Sequence, residues 1–247
     1  MDAREYEKMA AVEAQMWWYQ GLHQMVLTLI DGLSLRPGAR VLDAGCGTGG
    51  LLARIAERRP DLRLTGFDFD DAAVAWSRRK AAIPLVAASI NALPFASGQF
   101  EAVVSCDVLC HRSVDQAAAL ADIARVLAPG GHVILNLPAY DWMYSTHDRR
   151  VHTARRYTVG RARQSLAEHG LRVSRGGYWN TGLFPLMAVH RLLSRSSSGD
   201  SDVHLYPAPI EALFRRVVLT EAWLVGKGVN LPYGGSVLVV AEKVGHV

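Results

Sequence analysis

The chain has 247 residues, half of them hydrophobic and a fifth charged, with a formal net charge of +4. That length buries one substantial core, so a single domain over 1–247 is expected, and the composition excludes disordered and fibrous classes. The three cysteines, Cys46, Cys106 and Cys110, have neither disulfide-framework nor zinc-type spacing, which fits a reducing cytoplasm; no stretch has the length and apolarity of a membrane span, and the acid-bearing start MDAREYEK does not resemble a secretory signal.

Residues 4–33 repeat apolar positions at helical spacing, which predicts a helical segment ahead of the first strand and an N-terminal lid over 1–35. ARVLDAG (39–45) reads as a short buried strand, and Thr48 to Arg59 as a helix stopped by Pro60. Strands follow at LRLTGFD (62–68), IPLVAAS (83–89), QFEAVVSCD (99–107) and HVILNLP (132–138), separated by helices at Asp71–Lys80 and Ser113–Leu127. Residues 138–157 form a polar, aromatic-rich connection, long enough to suggest function. Then come a helix from Val159 to His169, a sixth strand LRVSRGGYW (171–179), an apolar helix over 181–193, a flexible SRSSSGDSD (194–202), a helix across Pro209 to Val225 and a closing strand GGSVLVVAEK (234–243). The alternation predicts an α/β fold: a doubly wound, seven-stranded, mostly parallel sheet with N-terminal helices and a helical insertion before the last strand. Ligands of such sheets bind beyond the carboxyl ends of the strands.

VLDAGCGTGG (41–50) holds Gly45, Gly47 and Gly50 as G-x-G-x-x-G, the dinucleotide fingerprint. In a nicotinamide site a diphosphate rests against the N-terminus of the next helix. Here Asp43 stands beside the turn, where a carboxylate repels a diphosphate and favours a cationic ligand. S-adenosylmethionine, with its sulfonium and ammonium, is such a ligand. Asp68, at the end of the second strand, suits ribose hydroxyls in either cofactor.

VLDAGCGTGG, LTGFDFD, LPFASGQFEAVVSCDVLCH and ARVLAPGGHVILNLP fall in order between about residues 38 and 138. In these segments the chain resembles the class I S-adenosylmethionine-dependent methyltransferases, in particular the small-molecule type 11 and type 12 group, with a Rossmann-like fold. The resemblance reaches the flanks through Trp17-Trp18-Tyr19, PAYDWMYSTHDRRVHTARRYT, YWNTGLFP and LPYGGSVLVVAEK. It implies S-adenosylmethionine as cofactor, S-adenosylhomocysteine as product, and cofactor contacts from Asp43, Gly45, Cys46, Gly47, Gly49, Asp68, Phe69, Ser89, Ile90, Asn91, Cys106 and Trp18. Two positions depart from the pattern. Ser89 replaces an acid, leaving the adenine amine to Ser89, Asn91 or a backbone carbonyl, and Leu109-Cys110-His111 keeps the histidine of a common L-E-H but not its glutamate.

Methyl transfer from a sulfonium is an in-line displacement governed by proximity and orientation, and a base is needed only for an acceptor that carries a proton. His111, His147 and His152 are the candidate bases, with Asp148 available to orient His147; His147, Asp148 and His152 together as a metal site is the weaker reading. Arg155, Arg156 and Tyr157 read either as a fork for an anionic acceptor or as ties holding the insertion to the sheet. Tyr140, Trp142 and Tyr144 read as pocket walls, and Trp17, Trp18 and Tyr19 as a lid. Acceptor-site insertions are expected at 138–157 and 180–230, whose apolar helices suit a pocket wall, a homodimer contact or a membrane surface. The expected acceptor is a small, natural-product or lipid-like molecule methylated at O, N or C. An RNA or protein methyltransferase, or an NAD-dependent oxidoreductase, is the alternative; with no nucleic-acid module, nucleic acid is not an expected partner.

Overall fold

Alternating strands and helices fold into three layers in the computed structural model, which describes residues 3–80, 82–193 and 204–245. The elements run α1 (Ala3–Val12), α2 (Trp17–Asp31), β1 (Arg40–Ala44), α3 (Gly50–Arg58), β2 (Arg63–Asp68), α4 (Asp71–Lys80), β3 (Leu85–Ala87) and β4 (Phe100–Cys106). They continue as α5 (Gln116–Val126), β5 (Leu127–Pro138), α6 (Thr146–Arg150), α7 (Val159–Ala167), β6 (Leu171–Trp179), α8 (Phe184–Leu193), α9 (Ala208–Gly226) and β7 (Ser236–Lys243). The strands order as β3-β2-β1-β4-β5-β7-β6, with β7 alone antiparallel to its neighbours. The predicted seven-stranded, mostly parallel sheet is therefore present.

Strand alternation decides the layers. Val41, Leu64, Val104, Ile134 and Leu238 point to the face covered by α2, α3 and α9, whereas Leu42, Phe67, Val103, Leu135 and Val239 point to the face covered by α5 and α7. On the first face α2 and α9 approach so closely that a Cβ on Gly21 would strike Val218. Glu211 of α9 accepts the backbone N–H of Trp17 at 2.8 Å, placing a carboxylate at the N-terminus of α2, where the helix dipole favours it.

Several boundaries differ from the sequence expectation for local reasons. The single N-terminal helical segment breaks between Val12 and Trp17, with Met16 extended (φ −67°, ψ 127°), because Glu13 turns inward to polar partners. α5 starts three residues late, at the point where Asp115 caps the N–H groups of Ala117 and Ala118. The third strand shrinks to Leu85–Ala87, and the fifth begins early, at Leu127, through an irregularity against Phe100 and Ala102. The long connection after β5 is a 3-10 turn (Asp141–Met143) followed by α6, and its end returns to pair with the loop after β4. The predicted flexible segment 194–202 lies outside the described residues.

Because β6 runs parallel to β5 and β7 opposes both, the ends of β1, β2, β4, β5 and β6 and the start of β7 share one edge. The candidate site is built there.

Candidate active site at the strand ends

The bend after β1 turns through left-handed backbone at Gly45 (φ 88°), where a Cβ would also strike Val108. Beneath it, Asp43 is buried on β1, and its Oδ2 has no hydrogen-bond partner. Burial, then the neighbouring carboxylates Asp68 and Glu13, push its pKa up to about 8. The expectation of a standing negative floor therefore needs correcting: at neutral pH this carboxyl holds a proton until a cation arrives. A buried carboxyl with an unused oxygen beside a glycine bend suits an ammonium or another cationic donor.

Asp68 closes β2 and is held by the N–H of Gly47 at 2.9 Å, the N–H of Asp70 at 3.1 Å and, at 3.5 Å, the hydroxyl of Tyr6 from α1. Burial raises its pKa, against the pull of those amides. Phe69, next in sequence, stands 78% exposed at the rim, free to lie against a flat ring.

Glu13 lies over the first turn of α3. It accepts from Thr48 Oγ1 at 2.6 Å and pairs with Lys80, and a Cβ on Gly50 would overlap its carboxylate. His23 stands 3.8 Å away, its pKa pushed down to about 4 chiefly by burial. The end of α3 that would attract a diphosphate thus already carries the chain's own carboxylate. Sequence patterning showed Glu13 only as one polar residue of a helix, so this role was not visible there.

Across the edge, the end of β4 holds a second acid that sequence reading missed. Asp107, with left-handed backbone (φ 56°), accepts from Asn136 Nδ2 at 2.9 Å, and Asn136 in turn accepts from the buried indole of Trp179 at 2.6 Å. Burial brings Asp107 up to about 7, with Asn136 and Arg156 opposing. A non-glycine residue held in that backbone region marks a site whose surroundings enforce it. His111 is half-buried, bridged to Thr153, and its pKa is lowered mainly by burial, which keeps the imidazole neutral.

The remaining predicted residues divide sharply. His152 is exposed on the outer side of its turn, and His147 lies half-buried on α6. Asp148 does not serve His147: it takes a forked pair from Arg156 (Nε and Nη2, both 3.0 Å), a bond from Arg191 at 3.0 Å and the N–H of Ser145 at 2.8 Å. Arg156 is buried and also donates to the Ala139 carbonyl, so it faces the protein and not an acceptor. Arg155 donates to the Val114 carbonyl, Tyr157 to Leu109 and Gln116, and Tyr144 to Thr153. These four residues anchor the insertion, which is the second of the two readings the sequence left open for Arg155, Arg156 and Tyr157, and departs from the pocket-wall reading of Tyr144.

Tyr140 differs. It stacks on Trp142 and Tyr178, at 5.9 and 5.2 Å between ring centroids, and meets Phe184 edge-on at 5.7 Å, making an aromatic wall above β5 and β6. Tyr19 is buried against Trp18 and His23, while Trp18 packs on Trp179 at 5.9 Å and links α2 to the strand ends. Ser89 accepts the N–H of Asn91, and both amide atoms of Asn91 are engaged with the Ser113–Asp115 loop; Ile90 is buried beside them. Cys106 lies half-buried at the end of β4, its thiol pushed well up by burial, and Cys46 is buried in the bend.

Residues 41–131 match a family model described as a methyltransferase domain. The demethylmenaquinone methyltransferase of Thermus thermophilus is 36% identical over 123 residues, 45% of this chain and 56% of that protein. That of Beutenbergia cavernae is 39% identical over 108 residues, 43% of each. The chain spans about half the length or less of the curated relatives it matches first. Among solved structures, a geranyl diphosphate methyltransferase in complex with SAM superposes with a TM-score of 0.62 at 18% identity, over 91% of this chain and 85% of that one. A [4+2]-cyclase, SpnF, does so at 0.59 and 20% identity, over 90% and 81%. At such identities the likeness establishes the fold.

Proposed function

We propose that the chain is a class I S-adenosylmethionine-dependent methyltransferase and that it methylates a small, largely apolar acceptor, natural-product or lipid-like. The observation that carries this reading is the unpartnered Oδ2 of Asp43 beneath the glycine bend, with Glu13 already over the first turn of α3. Together they favour a cationic nucleoside and disfavour a dinucleotide.

When bound, S-adenosylmethionine supplies an activated methyl on a sulfonium whose departure needs no acid. Asp43 binds the cationic end, and Asp68 the ribose hydroxyls, in place of its long contact with Tyr6. Phe69 covers the base. Tyr6 of α1 and Glu13, just past the end of that helix, roof the site and exclude water. The acceptor lies against Tyr140, Tyr178 and Phe184, oriented by shape. If it carries a proton on the attacking atom, Asp107 is the base better placed to take it, with neutral His111 beside the same strand end; His152 is exposed and His147 belongs to the anchored insertion. Arg155 and Arg156 do not offer a fork to a nucleic-acid phosphate, because both are engaged internally.

Calorimetric titration with S-adenosylhomocysteine, S-adenosylmethionine and NADH tests this reading, followed by mass spectrometry of a metabolite extract incubated with labelled S-adenosylmethionine. Binding of the first two but not the third, and a product heavier by one labelled methyl, is the expected result. Affinity for NADH alone would overturn it.

A further inference from the structure

α9 is asymmetric in charge. Its two acids face inward: Glu211 accepts the N–H groups of Trp17 and Tyr206, and Glu221 those of Thr181 and Gly182. Its cations face outward, since Arg215, Arg216 and Lys227, just past its end, are exposed and meet no carboxylate among the described residues. Between them stand large apolar groups in the open, Trp223 at 60% and Leu213 at 58% exposure, with Leu219 at 37%. Leu213, Arg216, Thr220, Trp223 and Lys227 recur at helical spacing and lie on one stripe, opposite buried Val218, Ala222 and Val225. Lys227 sits over the Trp223 ring at 5.9 Å.

We propose that this outer face of α9 docks on an anionic lipid bilayer, lying in the headgroup plane with Trp223, Leu213 and Leu219 at the acyl boundary and Arg216 and Lys227 against lipid phosphates. The charge pattern selects this occupant. A second copy packed face to face would bring cations against cations with no acid on the stripe to offset them. A nucleic acid would satisfy the cations and leave Leu213, Leu219 and Trp223 with nothing to bury them. A bilayer with anionic headgroups satisfies both sets at once. No described helix is long and apolar enough to cross the membrane, so the contact is peripheral. The opposite face of α9 packs on α2, whose Trp18 touches Trp179 at the strand ends. This proposal stands on the surface of α9 and not on the methyl-transfer reading.

Sedimentation of the full chain with phosphatidylcholine vesicles, with and without phosphatidylglycerol, tests it. Pelleting with the anionic vesicles only, reversed by salt, is expected. Arg216→Gln and Lys227→Gln should each lower partitioning about fivefold, and Trp223→Ser should weaken it while keeping its salt dependence. All three side chains lie outside the core, and retained S-adenosylhomocysteine affinity in calorimetry shows that the variants are folded. That titration also separates failure of this proposal from failure of the functional reading. Three results would overturn it: no pelleting with either vesicle, pelleting indifferent to the substitutions, or a dimer or RNA complex that Trp223→Ser or Arg216→Gln abolishes while vesicles are ignored.

Discussion

The two halves of the strand-end edge treat polar groups differently. Around β1 and β2 Asp43 is left with an unpartnered oxygen, and Asp68 adds to its two backbone bonds only a long contact to Tyr6. In the insertion after β5 polar groups converge on one carboxylate, with Asp148 alone receiving Arg156, Arg191 and Ser145. A buried group lacking a partner is costly unless a ligand supplies one, whereas a carboxylate shared among several donors holds a loop in place. The first half therefore reads as a binding surface and the second as its scaffold, although the second is richer in histidine and arginine.

Breaking the scaffold should have the largest effect. Asp148→Ala strands Arg156 in the interior and should lower unfolding free energy by about 3–5 kcal/mol, read as a drop in chemical-denaturation midpoint; a loss within error would mean the network is not what orders the insertion. Asp107→Asn comes next. With a proton-bearing acceptor it should cut turnover about 100-fold with cofactor affinity retained, and it should remove the rise in rate with pH near 7, the value to which burial brings Asp107. An unchanged pH profile would transfer the role to His111.

Asp43→Asn probes the binding half. It should weaken S-adenosylmethionine affinity roughly 10- to 100-fold yet spare the protein alone. The sign follows from the raised pKa: between the ordinary value of 3.8 and about 8, the folded protein keeps a proton that the unfolded chain has released. Stability without cofactor therefore falls as pH climbs through that window, and Asn abolishes the fall. For the same reason wild-type affinity for the cation should increase from pH 6 to pH 8, with proton release visible by calorimetry in buffers of different ionisation heat. The smallest effect is expected of Tyr6→Phe, which removes a 3.5 Å contact worth about 0.5 kcal/mol and should speed cofactor exchange slightly.

Most of the sheet was legible in the sequence because strand burial and helix amphipathicity are local, periodic signals. The glycine bend, Asp43 and Asp68 were legible for the same reason: strand ends and turns are set by neighbours. Glu13, Asp107 and the Trp179–Asn136 pair were not, since their partners lie 29 to 67 positions away and no local pattern announces them. The insertion misled in the other direction. His147, Asp148 and His152 cluster along the chain as a catalytic group would, but the fold turns Asp148 into an arginine anchor and leaves His152 outside. Adjacency in sequence fixed which residues are near one another and not which way they face.

Trp18 and Trp179 lie 5.9 Å apart with their planes inclined by 36°, one on the first turn of α2 and the other bonded behind the reacting edge. Two indoles so near and so inclined couple their excited states, which gives the near-ultraviolet circular dichroism a signature sensitive to their mutual angle. Movement of the N-terminal helices over the site would thus be visible optically in the unlabelled protein, on the timescale of a stopped-flow mixing experiment.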